Sequence, residues 1–168
     1  NNDELRPSKM RGVAFPKNLI LEDSEAIMTQ VPTVKNVAPQ ITANEVVQVG
    51  SKSTTSSISG ITPSFLTVRS FEIENGRFIS KSDLDSARNV VVIGPDLKTK
   101  LFPYSSSIGK NIRIKDNSFE VIGVMAPKGA VFGNNQDKSA YVPLSTMVNR
   151  LTGRDPTYGI SLSFISIE

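Results

Sequence analysis

Four consecutive residues, Val90-Val91-Val92-Ile93, constrain the fold more than any other part of this chain. The run is short, apolar at every position and dominated by β-branched side chains. Gly94-Pro95 turns it at once into a helical pattern through Leu97, Leu101 and Phe102. It therefore reads as a strand buried on both faces, with no side left for solvent.

Other segments carry weaker signals of the same kinds. Leu21–Gln30 is expected to be the first helix, with Glu22, Asp23 and Glu25 complementing the dipole of its first turn and Pro32 stopping it. Residues 33–50 suggest one or two strands, bent near Pro39. The polar stretch 50–60, GSKSTTSSISG, reads as a hairpin loop plus the start of a strand. Thr62 as cap and Pro63 at the first position predict a short helix carrying Phe65, Leu66 and Val68. A short strand over 71–74 ends at Asn75-Gly76. Ser80 and Asp83 have the spacing of a capping box. Asn111–Lys115 and Phe119–Met125 form the clearest hairpin, with Asp116-Asn117 as its turn. Ser139–Val142 is a strand. Leu144, Met147, Val148 and Leu151 fall at helical spacing before Gly153, and Ile160–Ile167 alternates as a strand.

The 168 residues include no histidine and no cysteine. No Ser-His or Cys-His nucleophile pair can be assembled, and zinc or copper would lack the ligands they usually take. Nineteen basic residues against sixteen acidic ones give a formal charge of +3, and the basic residues are scattered singly. This is a solvated surface, not a nucleic-acid footprint. No stretch approaches the roughly 18–20 apolar residues of a membrane span.

Chemical motifs fail on inspection. A phosphate loop ending at Gly109-Lys110 would need glycine at Tyr104 and Ser or Thr at Asn111. Asp83, Asp85 and Asn89 lack the central glycine and the terminal glutamate of a calcium loop. The hydroxyl-rich run 51–59 reads as hairpin solvation ahead of a sugar-binding face. No catalytic, cofactor or metal residue is assigned, and the chain is expected neither to bind nor to hydrolyse ATP.

An ordered series of short motifs resembles the MacB-type periplasmic core domain of ABC transporter permeases (the MacB, FtsX and LolC-like family). Residues 19–27 (LILEDSEAI) resemble its entry helix, although Ile20 stands where the family often has a capping threonine. Residues 31–39 (VPTVKNVAP) resemble P-x-V-x-x-V-x-P. Residues 59–65 (SGITPSF), with Gly60 and Pro63, resemble V-x-G-x-x-P-x-Y/F. Asn75-Gly76-Arg77-Phe78-Ile79-Ser80 is similar to the family's G-R-x-F/I-S turn. Val90–Gly94, Ile108-Gly109-Lys110 and Phe119–Val124 with Gly123 follow in family order. The match runs from about Leu19 to the C-terminus.

The resemblance implies an α+β fold, with a mixed α/β lobe near the membrane and an inserted β-rich lobe. It implies an extended lead-in over 1–18 and a core domain over 19–168, trimmed at both ends. It implies a non-catalytic extracytoplasmic part of an inner-membrane permease, with ATP hydrolysis in a separate domain or subunit. Efflux relatives engage a periplasmic adaptor protein and an outer-membrane channel. The isolated fragment is expected to be monomeric, with dimer contacts in the absent parts.

Gly60, Pro63, Gly76, Arg77, Gly94, Gly109 and Gly123 are expected to be structural, and Gly76→Val to lower stability. Residues 126–138 are expected to form an exposed, mobile loop in which Val131 and Phe132 either contact a partner or fold back onto the core. The competing reading is a freestanding module that binds carbohydrate or an apolar small molecule through Phe65, Phe71, Tyr104 or Phe132.

Overall fold

The computed structural model describes Ala26 and residues 37–128, 130–131, 134–153 and 164–167. The chain order is β1 (Val37–Val49), β2 (Lys52–Ile61), α1 (Phe65–Val68), β3 (Ile73–Gly76), α2 (Lys81–Asp85), β4 (Val90–Ile93) and α3 (Pro95–Leu101). Then come β5 (Asn111–Ile114), β6 (Asn117–Met125), β7 (Ala130–Val131), β8 (Asn134–Asn135), a 3-10 turn (Gln136–Lys138) and β9 (Ala140–Pro143). An α turn over Leu144–Thr146 continues as a π-helix over Met147–Thr152, and β10 is Phe164–Ile167. The mixture is the α+β class expected. Among the described residues no helix is long and apolar enough to cross a membrane.

Six strands close a hydrogen-bonded circuit. β1 pairs with β2, β2 with β9, β9 with β4, β4 with β6, β6 with β5, and β5 returns to β1 through Val47–Ile114 and Gln48–Arg113. The β2–β9 and β4–β6 pairs are parallel and the others antiparallel. β3 extends the sheet beyond β6, and β10 pairs with the first residues of β1.

Alternation along the strands sorts their side chains onto two faces. One core takes Val47, Ile58, Val91, Ile93, Ile112, Ile114, Phe119, Val121, Ala140 and Val142 from the circuit. Leu97, Leu101 and Phe102 of the α3 region and Leu144, Met147, Val148 and Leu151 complete it. The other core holds Val90, Val92, Ile122, Met125 and Tyr141 with Phe65, Phe71 and Ile79. Val90–Ile93 is thus buried on both faces, as the apolar run predicts. In the second core, the Phe65 ring lies 5.3 Å from Phe71 and 5.2 Å from Tyr141, centroid to centroid. Such pairs add roughly 0.5–1.5 kcal/mol beyond their buried area. Burial pushes the Tyr141 hydroxyl up to about 12.

Several expectations shift in detail. Of the first helix, only Ala26 lies within the described residues, and it is helical. Residues 37–49 form one continuous strand across Pro39. The Ser/Thr run is mostly strand: only Gly50 and Ser51 turn, and β2 pairs with β1 from Lys52 onward. Threonine favours strands, and the long partner strand supplies the ladder. Helix α1 starts after Ser64, not after Thr62, and Pro63 lies in the preceding turn. The Ser64 hydroxyl donates to the Val37 carbonyl (2.7 Å) instead of capping.

The β5–β6 turn is Lys115-Asp116, one residue early, and both have positive φ (47° and 65°). Two such residues match the twist of the flanking strands. Lys115 Nζ donates to the Leu151 carbonyl (2.9 Å), which anchors this turn to the end of the π-helix. The helix expected over 143–151 buries every residue of its apolar stripe but is α only for its first turn.

Helix α2 is fixed by its first residues. The Ser80 hydroxyl accepts from the Asp83 N–H, and the Asp83 carboxylate accepts from the Ser80 N–H (2.9 Å), so the capping box is complete. The same carboxylate, fully buried, accepts from both Arg77 guanidinium nitrogens at 2.7 and 3.3 Å. Arg88 stands 3.6 Å away. Burial alone would raise this carboxyl, but Arg77 and the Ser80 donors outweigh it and hold it at about 2. A depressed carboxyl stabilises the fold above its unfolded value near 4, and that contribution is lost as pH falls toward 2. Wild-type stability should therefore drop by about 2 kcal/mol across that interval through this group. Asp83→Asn should be less stable at neutral pH and show a shallower acid limb in urea titrations. Identical acid limbs would remove Asp83 from this role.

Gly76 follows β3 with φ +76°, and a Cβ there would lie 2.2 Å from the Ile122 carbonyl oxygen. Gly109 also has a positive φ, +80°, but a Cβ there would meet nothing within 4 Å. Its need is conformational: Lys110 N–H bonds the Ser107 carbonyl (3.0 Å) around a tight turn. Gly76→Ala should lower Tm by roughly 6–12 °C and Gly109→Ala by roughly 2–4 °C. Equal losses in a thermal melt would show that the backbone contact at Gly76 contributes nothing.

Candidate interaction surface

The residues singled out from sequence separate into two groups in space. Gly60, Gly94 and Gly123 are sites of close approach. A Cβ would come within 2.4 Å of Met147 Cβ at Gly60, 2.2 Å of the Asp137 carbonyl oxygen at Gly94 and 2.2 Å of the Arg77 carbonyl oxygen at Gly123. With Gly76 and Arg77 they lie in or beside the sheet and its helix junctions, not around an open site. Gly94 also caps α3, with Pro95 at its first position, as expected from sequence.

The segment 126–138 is more structured than the loop expected from its Gly, Asn and Pro content. It carries the two-residue pair β7–β8, with Val131 opposite Asn134, and then the 3-10 turn. The two residues joining these strands in the sequence are Phe132 and Gly133, and Phe132 lies outside the described residues. Both ends of the segment are tied down. The Lys128 N–H donates to Asp137 Oδ1 (2.6 Å), and Lys128 Nζ donates to the Ser70 carbonyl (2.8 Å) while standing 5.1 Å over the Phe71 ring. Gly94 N–H donates to the Ser139 carbonyl (2.8 Å), which joins the end of the segment to the β4–α3 junction.

Phe65 and Phe71, offered from sequence as ligand platforms, are instead buried, at 1% and 6% exposure. They belong to the second core because α1 and the chain after it must cover the outer face of β4 and β6. Tyr104 differs, with 99% of its surface exposed. It lies on the rim of an open cleft of about 530 Å³ between β3, α3 and the loop after α3. Sequence reasoning singled out Tyr104 but not Ser107, Lys98 or Thr99 on the same cleft. No spacing rule links a strand, a helix and a loop that only the sheet order brings together.

Among the described residues no group of acidic side chains is arranged to hold a metal ion. The strongly perturbed carboxyl, Asp83, is consumed by its capping box and its arginine.

This arrangement has close counterparts. The family model of the MacB-like periplasmic core domain matches residues 3–167. A macrolide export ATP-binding/permease protein MacB from Syntrophobacter fumaroxidans is 36% identical over 148 residues, which is 84% of this chain and 21% of that protein. Its counterpart in Shewanella sp. (strain W3-18-1) is 32% identical over 146 residues, 87% of this chain and 22% of that protein. The chain thus spans about a fifth of the length of these relatives. The crystal structure of the periplasmic region of MacB from Actinobacillus actinomycetemcomitans matches with a TM-score of 0.76 at 25% identity, over 94% of this chain and 66% of that one. The extracellular domain of the ABC-type transporter YknZ from Gram-positive bacteria matches in fold, with a TM-score of 0.72 at 20% identity, over 99% of this chain and 76% of that one. The chain belongs to the MacB-like periplasmic core domain family, the extracytoplasmic part of ABC transporter permeases.

Proposed function

We propose that this domain is a non-catalytic coupling element, which passes ATP-driven motion of a permease to substrate or partner proteins in the periplasm. The family match over residues 3–167 is the observation that carries this reading. The relatives are described as ATP-binding/permease proteins, and nucleotide hydrolysis would lie in another domain or subunit. A periplasmic adaptor protein and an outer-membrane channel are the proposed partners, and the isolated chain is proposed to be monomeric.

Physical support comes from the way the domain is built. Coupling requires an element that moves as a body between two arrangements. Six strands in a closed circuit, cored on both faces, resist bending at any one strand pair. The residues that carry the family likeness fix turns and close contacts, which is what a force-bearing part needs.

The proposed contact is the β7–β8 hairpin with Val131 and Phe132. Its anchors at Lys128, Asp137 and Ser139 would transmit load directly to α3, β4 and the aromatic core. Phe132→Ser in the full permease should reduce transport at least tenfold, while the Tm of the isolated chain changes by less than about 2 °C. A matching loss of Tm would mean that Phe132 packs on the core. Unchanged transport and Tm would remove Phe132 from the contact.

A further inference from the structure

We propose that the helix over residues 144–152 is a two-register switch, held in its π form by the β5–β6 turn and α-helical when that turn lets go. The switch stands apart from the coupling role proposed above, because it concerns one helix and is read in the isolated chain.

The first observation is that nothing inside the helix asks for the π register. Residues 144–152 (LSTMVNRLT) contain no proline and no glycine, and Leu144, Met147, Val148 and Leu151 recur at α-helical spacing. The first turn, Leu144–Thr146, is α. From Met147 to Thr152 the helix is nonetheless π, and its bonds run five residues back. Gly153 N–H donates to the Val148 carbonyl (2.9 Å), and the Thr152 hydroxyl reaches the Met147 carbonyl (3.4 Å). Turns of this kind are rare and concentrate at functional positions. Places where a local pattern and the observed structure disagree are where function is expected.

The second observation is how the two ends are held. The first turn is fixed: the Ser145 hydroxyl donates to the Leu84 carbonyl (2.5 Å) and the Thr146 hydroxyl to the Arg88 carbonyl (2.6 Å). The last turn is held by one hairpin. Lys115 Nζ donates to the Leu151 carbonyl (2.9 Å). Asn117 Nδ2, already bonded to the Lys115 carbonyl, stands 3.4 Å from the Arg150 carbonyl. A π turn takes more residues than an α turn. Returning to α spacing therefore rotates Arg150 and Leu151 about the axis and carries both carbonyls off these donors. A hydrogen bond from a charged group biases such a choice by roughly tenfold or more.

The third observation is what the helix leads to. Gly153, with φ +76°, ends it. Strand β10 then pairs with Val37–Gln40 of β1, outside the six-strand circuit. A change of register alters the reach of the chain toward β10 and leaves the pairs of the circuit in place. Packed elements shift between discrete arrangements of this kind.

The test is NMR on the 168-residue chain. Scalar couplings across hydrogen bonds name the acceptor of the Gly153 N–H directly. In the wild-type chain it should be Val148, with relaxation dispersion at residues 149–153 reporting a minor form of a few per cent. Lys115→Met should raise that form at least tenfold and bring up a coupling from Gly153 to Asn149, while the amides of Val91 and Val92 stay unmoved. A wild-type coupling to Asn149 overturns the proposal, as does flat dispersion at residues 149–153. A Lys115→Met chain with wild-type couplings and populations overturns it too, and so do shifts spread through β4, which would mark general loosening. The dispersion measurement needs no variant and decides the case should Lys115→Met fail to fold.

Discussion

The edge of β6 that faces away from β4 is the constraint on which the rest of the structure depends. Four pieces of chain satisfy that edge in succession. β5 pairs with residues 117–120. Gly109 N–H then donates to the Val121 carbonyl, and Val121 N–H donates to the Lys110 carbonyl, both at 2.8 Å. Arg77 N–H donates to the Ile122 carbonyl (2.9 Å), and β3 pairs from Gly123 onward. A buried strand with unpaired amides at the point where one neighbour ends and the next begins would be costly. Here the handover leaves no such gap.

The handover coincides with an irregularity in the β4–β6 ladder. Val91 pairs with Val121 but Val92 with Gly123, so Ile122 is the extra residue of a bulge. The bulge changes the phase of β6. Before it, Phe119 and Val121 face the first core; after it, Val124 does, while Ile122 and Met125 face the second. Gly123 passes directly under the Arg77 carbonyl, and Arg77 in turn holds the buried Asp83 that caps α2. One bulge therefore links the circuit, the strand outside it and the nearest helix cap. This linkage supports a domain that moves as a single body in the coupling role proposed for it.

Much of the fold was legible because its signals are local. Val90–Ile93 reads as a doubly buried strand, Ser80 and Asp83 have the spacing of a capping box, and Gly94-Pro95 favours a helix start, and the structure has all three. Errors arose where tertiary pairing overrode local preference. The Ser/Thr run reads as a hairpin loop plus the start of a strand, and the strand takes more of it than expected, because β1 is long enough to pair with it from Lys52 onward. The turn at Lys115-Asp116 was displaced by one residue because Asn117 is needed as a strand partner for Ile114, with its side chain bonded back to the Lys115 carbonyl. The cleft was invisible in sequence because Asn75, Thr99 and Ser107 meet only through the order β4–β6–β3, a non-local arrangement that no motif encodes.

Native-state hydrogen exchange tests the central claim most directly. If the handover along β6 holds the domain as one unit, the amides of Arg77, Gly109 and Val121 should exchange only through global unfolding. Their opening free energies should then match those of Val91 and Val92 in β4, within about 0.5 kcal/mol. Exchange of Arg77 and Gly109 through a local opening, well below the value for β4, would contradict it. β3 and the 107–110 turn would then be peripheral attachments, and the domain would have no reason to move as one body.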